Sequence, residues 1–90
     1  MLDTIWREAR RRIRGELPEK DYETWIEPLR AASWESGELT LETPSNFSLN
    51  WLRRHFLPAL EGAVRSASGE HANVVLVVNR AIDAVTVDRN

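Results

Sequence analysis

The sequence predicts a small α+β domain with elements in the order α-α-β-β-α-β, its three-stranded sheet carrying helices mainly on one face. Three observations lead there. Apolar residues recur at helical spacing near the start of the chain and again after Pro44. Ser36-Gly37 separates two short stretches that read as strands. Val74-Val75-Leu76-Val77-Val78 is an almost wholly β-branched run.

Asp3 or Thr4 can cap a first helix from about Ile5 to Glu16, whose apolar stripe is Leu2, Ile5, Trp6, Ala9 and Ile13. Arg7, Arg10, Arg11 and Arg14 gather on the far side, and Gly15 and Pro18 end the helix. A second helix follows from about Pro18 to Glu27, with Glu19 and Asp21 where the helix dipole favours negative charge. Its apolar residues Tyr22, Trp25, Ile26 and Leu29 share a face and are expected in the core, and Pro28 turns the chain out of the helix.

Leu29–Glu35 and Glu38–Thr43 read as a hairpin. A two-residue loop pairs Glu35 with Glu38, Trp34 with Leu39 and Ala32 with Leu41, placing Trp34 inward and Thr40 and Glu42 toward water. Pro44-Ser45-Asn46 opens a third helix reaching about Ala67, with a kink or break expected at Pro58. Leu49, Leu52, Phe56, Ala59, Leu60 and Ala63 form its core face. Phe47, Trp51 and His55 line another, Phe47 facing a partner and Trp51 turned toward the hairpin or helix two. The valine run suits a central strand covered on both sides. Residues 2–78 thus read as one domain, and 79–90 as a terminal segment or the start of a linker, although Ala81, Ile82, Val85 and Val87 could extend a strand.

Ninety residues allow a single modest core, and no stretch is long and apolar enough to span a bilayer. The N-terminus lacks the features of a secretory signal and there is no cysteine, so the cytoplasm is the expected compartment. A net charge of −2 argues against a general polyanion binder, yet eleven of the twelve Lys and Arg residues are arginine and five of those lie between Arg7 and Arg14. The basic character is local.

Catalytic equipment is missing: no cysteine nucleophile, G-x-S-x-G, H-E-x-x-H or phosphate-binding loop is present. His55 and His71 stand too far from other ligand types for a metal site, with His71 read as a solvated loop residue. Glu19, Asp21 and Glu23 fit a solvated helix face better than an acid–base pair. The arginines have two readings. They can contact phosphates, or serve as a charged solvent face in which Glu8 pairs with Arg12 at i, i+4. Trp6 is similarly divided between the core and a self-association surface, the second being preferred.

The series Ile5-Trp6, Glu16-Leu17-Pro18, Tyr22, Trp25-Ile26-Glu27-Pro28-Leu29, Gly37-Glu38-Leu39-Thr40-Leu41, Pro44-Ser45-Asn46-Phe47 and Trp51-Leu52-Arg53 closely resembles the N-terminal domain of bacterial DnaA replication initiators. The resemblance covers about Leu2 to Val78. Its most specific parts are the aromatic-x-x-Trp-Ile-x-Pro-Leu and Pro-x-x-Phe-x-x-x-Trp segments and the spacing between them.

The resemblance implies a KH-like fold and a non-enzymatic interaction hub without a cofactor. It implies weak self-association through Trp6, contact with the replicative helicase through Asp21 and Phe47, and docking of initiation regulators at Phe47. Asp21 stands where the family often has a glutamate. Weak single-stranded DNA binding is also implied, for which Arg7, Arg10, Arg11, Arg14, Arg53 and Arg54 are the candidate contacts; the Gly-x-x-Gly loop with which KH modules clamp RNA is absent. Complete initiators carry a nucleotide-hydrolysing module and a helix-turn-helix, so the expectation is an excised N-terminal domain or a stand-alone relative.

Overall fold

In helix α1, Leu2–Arg14, the first apolar stripe becomes a buried ridge of Ile5, Trp6, Ala9 and Ile13. This computed structural model describes residues 2–69 and 72–81; the expectations for His71 and for a strand through Ile82, Val85 and Val87 lie outside them. The helix begins earlier than the capping residues suggest, so Asp3 sits inside the first turn, where its carboxylate meets the positive end of the dipole. It also ends earlier. The Gly15 and Glu16 N–H groups donate to Arg12 and Ile13 carbonyls at 3.2 and 2.9 Å, tightening the last turn and closing the helix.

The second helix is a single α-turn, α2 (Glu19–Asp21), that widens at once into a π-helical turn, Tyr22–Ile26. The Glu27 N–H donates to the Tyr22 carbonyl at 2.9 Å, and Pro28, which has no N–H, ends the series. A wider turn advances fewer degrees per residue. Trp25 therefore stops well short of the line on which Tyr22, Ile26 and Leu29 are buried, and is half-buried at the flank instead of lying in the core.

Strands β1 (Arg30–Glu35) and β2 (Glu38–Thr43) form the expected hairpin, with Ser36 and Gly37 both at positive φ, 52° and 76°. Pairing of Glu35 with Glu38 and Trp34 with Leu39 follows the two-residue loop. Beyond Ser33 the register shifts, so that Leu41 pairs with Ala31. Ala32 is the extra residue of a bulge and points outward, exposed, which corrects its expected pairing with Leu41.

Helix α3 (Asn46–His55) and helix α4 (Leu57–Ser68) replace one long helix. The break falls at Phe56, whose ψ of −8° departs from helical geometry, and Pro58 occupies the first turn of α4, where its missing N–H costs nothing. Gly69, at φ 76°, caps α4, and the Arg65 Nε donates to the Ala72 carbonyl at 3.0 Å to hold the connection to β3 (Asn73–Val78).

The strand order is β1-β2-β3, with β2 antiparallel to β1 and parallel to β3. β2 is therefore central, and the valine run lies at an edge. Its Val74 and Leu76 point into the core, whereas Val77 is 36% exposed: the β-branched run covers one face of an edge strand instead of two faces of a central one. Leu39 and Leu41 face inward, while Thr40 and Glu42 are half-buried on the outer face, where Glu42 accepts a 3.0 Å hydrogen bond from the Asn79 amide. Helix α1 packs on α4 and β1, and α3 on β3 and β2, so the core lies between the helices and one face of the sheet.

Candidate functional site

Helix α3 is set by its first turn. Ser45, in extended geometry after Pro44, accepts the Ser48 N–H on its Oγ at 3.1 Å, satisfying one of the free donors at the helix start. From that start Leu52 and Phe56 turn inward and Leu49 packs against the core. Phe47, Trp51 and His55, each four residues from the next, point the other way. Phe47 is 68% exposed and Trp51 38%; of the two places expected for Trp51, hairpin or helix two, it takes the second, against Trp25, with part of its ring left in solvent. The core face of α3 was already filled by Leu49, Leu52 and Phe56, which leaves no interior place for an indole.

These rings form a ladder. Trp25 stacks on Trp51 with centroids 5.1 Å apart and planes 17° from parallel, and lies 5.9 Å from Phe47. Trp51 in turn is 6.3 Å from Phe47 and 4.3 Å from the His55 ring. Offset and tilted pairs at such distances are attractive beyond the area they bury, so the ladder stiffens itself while leaving ring faces toward solvent. Phe47, Asn50, Trp51 and Arg54 frame a cleft of about 250 Å³ along it.

The arginines divide between two places. Arg7, Arg10, Arg11 and Arg14 line a groove with Tyr22, in which Arg10 Nε donates to the Tyr22 hydroxyl at 3.3 Å and the Arg14 guanidinium lies 5.2 Å from the centre of its ring. Glu8 draws on this set: its carboxylate meets Arg11 Nη2 at 2.8 Å and Arg12 Nε at 3.0 Å. The hydrogen bond from Arg11 holds the Glu8 carboxyl below its usual value and raises the Arg11 guanidinium. Arg53 and Arg54 belong instead to the last turn of α3, and Arg54 lines the aromatic cleft. The six candidate arginines thus line no common groove.

Trp6 is buried at 6% exposure and packs in the core, which corrects the preference for a ring displayed at the surface. The reason is the stripe itself: Ile5, Trp6, Ala9 and Ile13 all lie beneath α4 and β1. Its indole Nε1 has no hydrogen-bond partner, and the residue forms part of a shallow groove with Asp3, Arg10, Leu29, Arg30, Ala31 and Glu42. Asp21 is half-buried in α2 and is not among the residues framing the aromatic cleft.

Two members of the site escape a reading of the sequence. Trp25 reads as core because the π-turn cannot be foreseen from apolar spacing. Asn50 carries no signal by itself, although its place three residues after Phe47, with Arg54 four further on, puts all three along one side of α3. Among the described residues no group of three or more His, Asp or Glu could hold a metal ion, and no helix is long and apolar enough to cross a membrane.

Comparison with known proteins shows the family of the chain. The profile of the DnaA N-terminal domain matches residues 3–66. The chain is 29% identical over 77 residues to the chromosomal replication initiator protein DnaA of Trichormus variabilis, covering 86% of this chain and 17% of that protein. It is 32% identical over 74 residues to DnaA of Deinococcus deserti, covering 82% of this chain and 16% of that one. With DnaA of Geotalea uraniireducens it shares 35% identity over 65 residues, 72% of this chain and 14% of the relative. The chain therefore spans about a sixth of the length of the curated relatives it matches. It belongs to the DnaA N-terminal domain family, the N-terminal part of bacterial DNA replication initiators.

Proposed function

We propose that the domain is a non-enzymatic docking module that acts in the cytoplasm, recruiting the replicative helicase and initiation regulators to the origin through the aromatic ladder. The observation that carries this reading is the 68% exposure of Phe47 in a ladder with Trp25 and Trp51. A large ring left in water on a helix that already has a complete core face is unfavourable for solubility and favours a partner surface. Asp21 is the second proposed helicase contact, at the outer flank of the turn that carries Trp25.

Phe47→Ala is the test. Because the side chain is mostly exposed, the variant should keep its circular dichroism spectrum and unfold within about 0.5 kcal/mol of the parent. Its affinity for helicase or regulator should fall about tenfold or more, as for an anchor worth at least ~1.4 kcal/mol. Unchanged affinity with an intact spectrum would sink the docking role.

Self-association belongs to the same proposal, with Trp6 supporting the surface from beneath. Trp6→Phe keeps most of the buried ring, so sedimentation of that variant separates assembly from folding: no shift toward monomer removes Trp6 from the role. The second reading, weak single-stranded DNA binding, is favoured by the groove of Arg7, Arg10, Arg11 and Arg14 beside Tyr22. Titration with oligothymidylate should then weaken steeply with salt, by a log–log slope of roughly −0.7 per phosphate contact. A flat titration excludes it.

A further inference from the structure

The chemistry of the aromatic cleft is more selective than its apolar walls suggest. Phe47 and Trp51 offer ring faces, and the exposed Asn50 amide offers both a donor and an acceptor. Arg54 is the one charged residue among the four that frame the cleft, and Arg53 and His55 flank it in the last turn of α3. Among the described residues the ion pairs are those of Glu8 with Arg11 and Arg12, so Arg54 has no carboxylate of its own. The segment that carries Trp25, the ring stacked on Trp51, has the opposite sign: it holds Glu19, Asp21, Glu23 and Glu27 against the single Lys20. A polyphosphate strand running along the rings would pass from an arginine onto this acidic flank. A single carboxylate placed at Arg54 would not.

Resting on the reading that this surface docks proteins, we propose that the cleft selects an acidic–apolar pair of side chains on a partner protein. The carboxylate of an Asp or Glu takes the Arg54 guanidinium, two parallel N–H···O bonds matching its planar fork. A neighbouring leucine or phenylalanine lies on the Phe47 and Trp51 rings. The Asn50 amide holds the partner backbone between them. The apolar contact excludes water from one side of the ion pair, which strengthens it relative to a fully exposed bridge.

Two synthetic helical peptides with the same leucine and phenylalanine pattern, one carrying glutamates beside those residues and the other lysines, distinguish the possibilities. Each is titrated into the chain and read by tryptophan fluorescence and by amide shifts along α3. The acidic peptide should bind about tenfold or more tightly than the basic one, weaken as salt rises, and perturb residues 47–54. Arg54→Glu should reverse the order of the two peptides and Arg54→Gln should level them; Arg54 is exposed, and an unchanged far-ultraviolet spectrum verifies folding. Equal affinity for the two peptides, or an order that Arg54→Glu leaves unchanged, overturns the proposal. So does oligothymidylate binding at Phe47 and Trp51 with the same Arg54 dependence while the acidic peptide fails to bind.

Helicase binding by the same variants separates the two levels of argument. Loss with both Phe47→Ala and Arg54→Glu supports the selective cleft. Loss with Phe47→Ala alone keeps the docking surface and refutes the acidic pairing, whereas no loss with Phe47→Ala removes the docking reading on which the pairing rests.

Discussion

Ser36 shows how a single residue carries local strain in this fold. Its φ of 52° lies in the left-handed region that side chains with a Cβ avoid, and the primed hairpin turn demands it. Ser36→Asn, which tolerates that region through its short polar side chain, should stabilise the domain by roughly 0.5–1 kcal/mol in urea unfolding. Gly37→Ala, at φ 76°, should cost about 1–2 kcal/mol. Glu8 provides a pH signature. Its folded-state pKa is lowered from the ordinary 4.5, chiefly by the Arg11 hydrogen bond, so it contributes stability above that value and loses it as pH falls through the lower folded value. The ion pairs lie at the surface, the Arg11 side chain being 74% exposed, and the effect is correspondingly small. Glu8→Gln should flatten that part of the pH profile by slightly lowering the unfolding midpoint at neutral pH while leaving it unchanged at acid pH, where the carboxylate is protonated in both states.

At the scale of elements, the π-turn and the break between α3 and α4 place the site. Both are departures from a regular helix, and each separates residues that apolar spacing would put together. Trp25 is half-buried, packing against the core on one side and on Trp51 and Phe47 on the other. Trp25→Ala should therefore cost about 2 kcal/mol, below the ~3–5 kcal/mol of a fully buried tryptophan, and should also reduce the near-ultraviolet signal of Trp51. A loss in the full core range would mean that Trp25 is interior after all. Ser36-Gly37, Pro44-Ser45 and Pro58 all punctuate the chain where the sequence suggests, because positive φ, a cap and a missing N–H are local requirements. The bulge at Ala32 and the π-turn answer to packing against other elements, and carry no comparable local sign.

At the scale of the whole molecule, α1, α3 and α4 cover one face of a sheet whose centre is β2, and the core takes Leu41 from the sheet and Leu52 from a helix, both at 0% exposure. Leu41→Ala or Leu52→Ala should each cost about 2–5 kcal/mol, a large part of the stability of a domain this size. Urea midpoints would register the loss.

Element identity, the hairpin turn, most of the core, the exposed Phe47 and the family itself were written in the sequence, since each depends on residue type and short-range spacing. Tertiary structure alone decided that the valine run lies at an edge, that Trp6 is interior, that Trp25 leaves the core line and that Trp51 packs on helix two and not on the hairpin. These outcomes depend on which surfaces compete for the same interior. Periodicity names the apolar face of a helix but does not say how much of it neighbouring elements will cover. Once Leu49, Leu52 and Phe56 had filled the space under α3, the aromatic residues of its other face, together with Trp25, were left outside as a stacked surface.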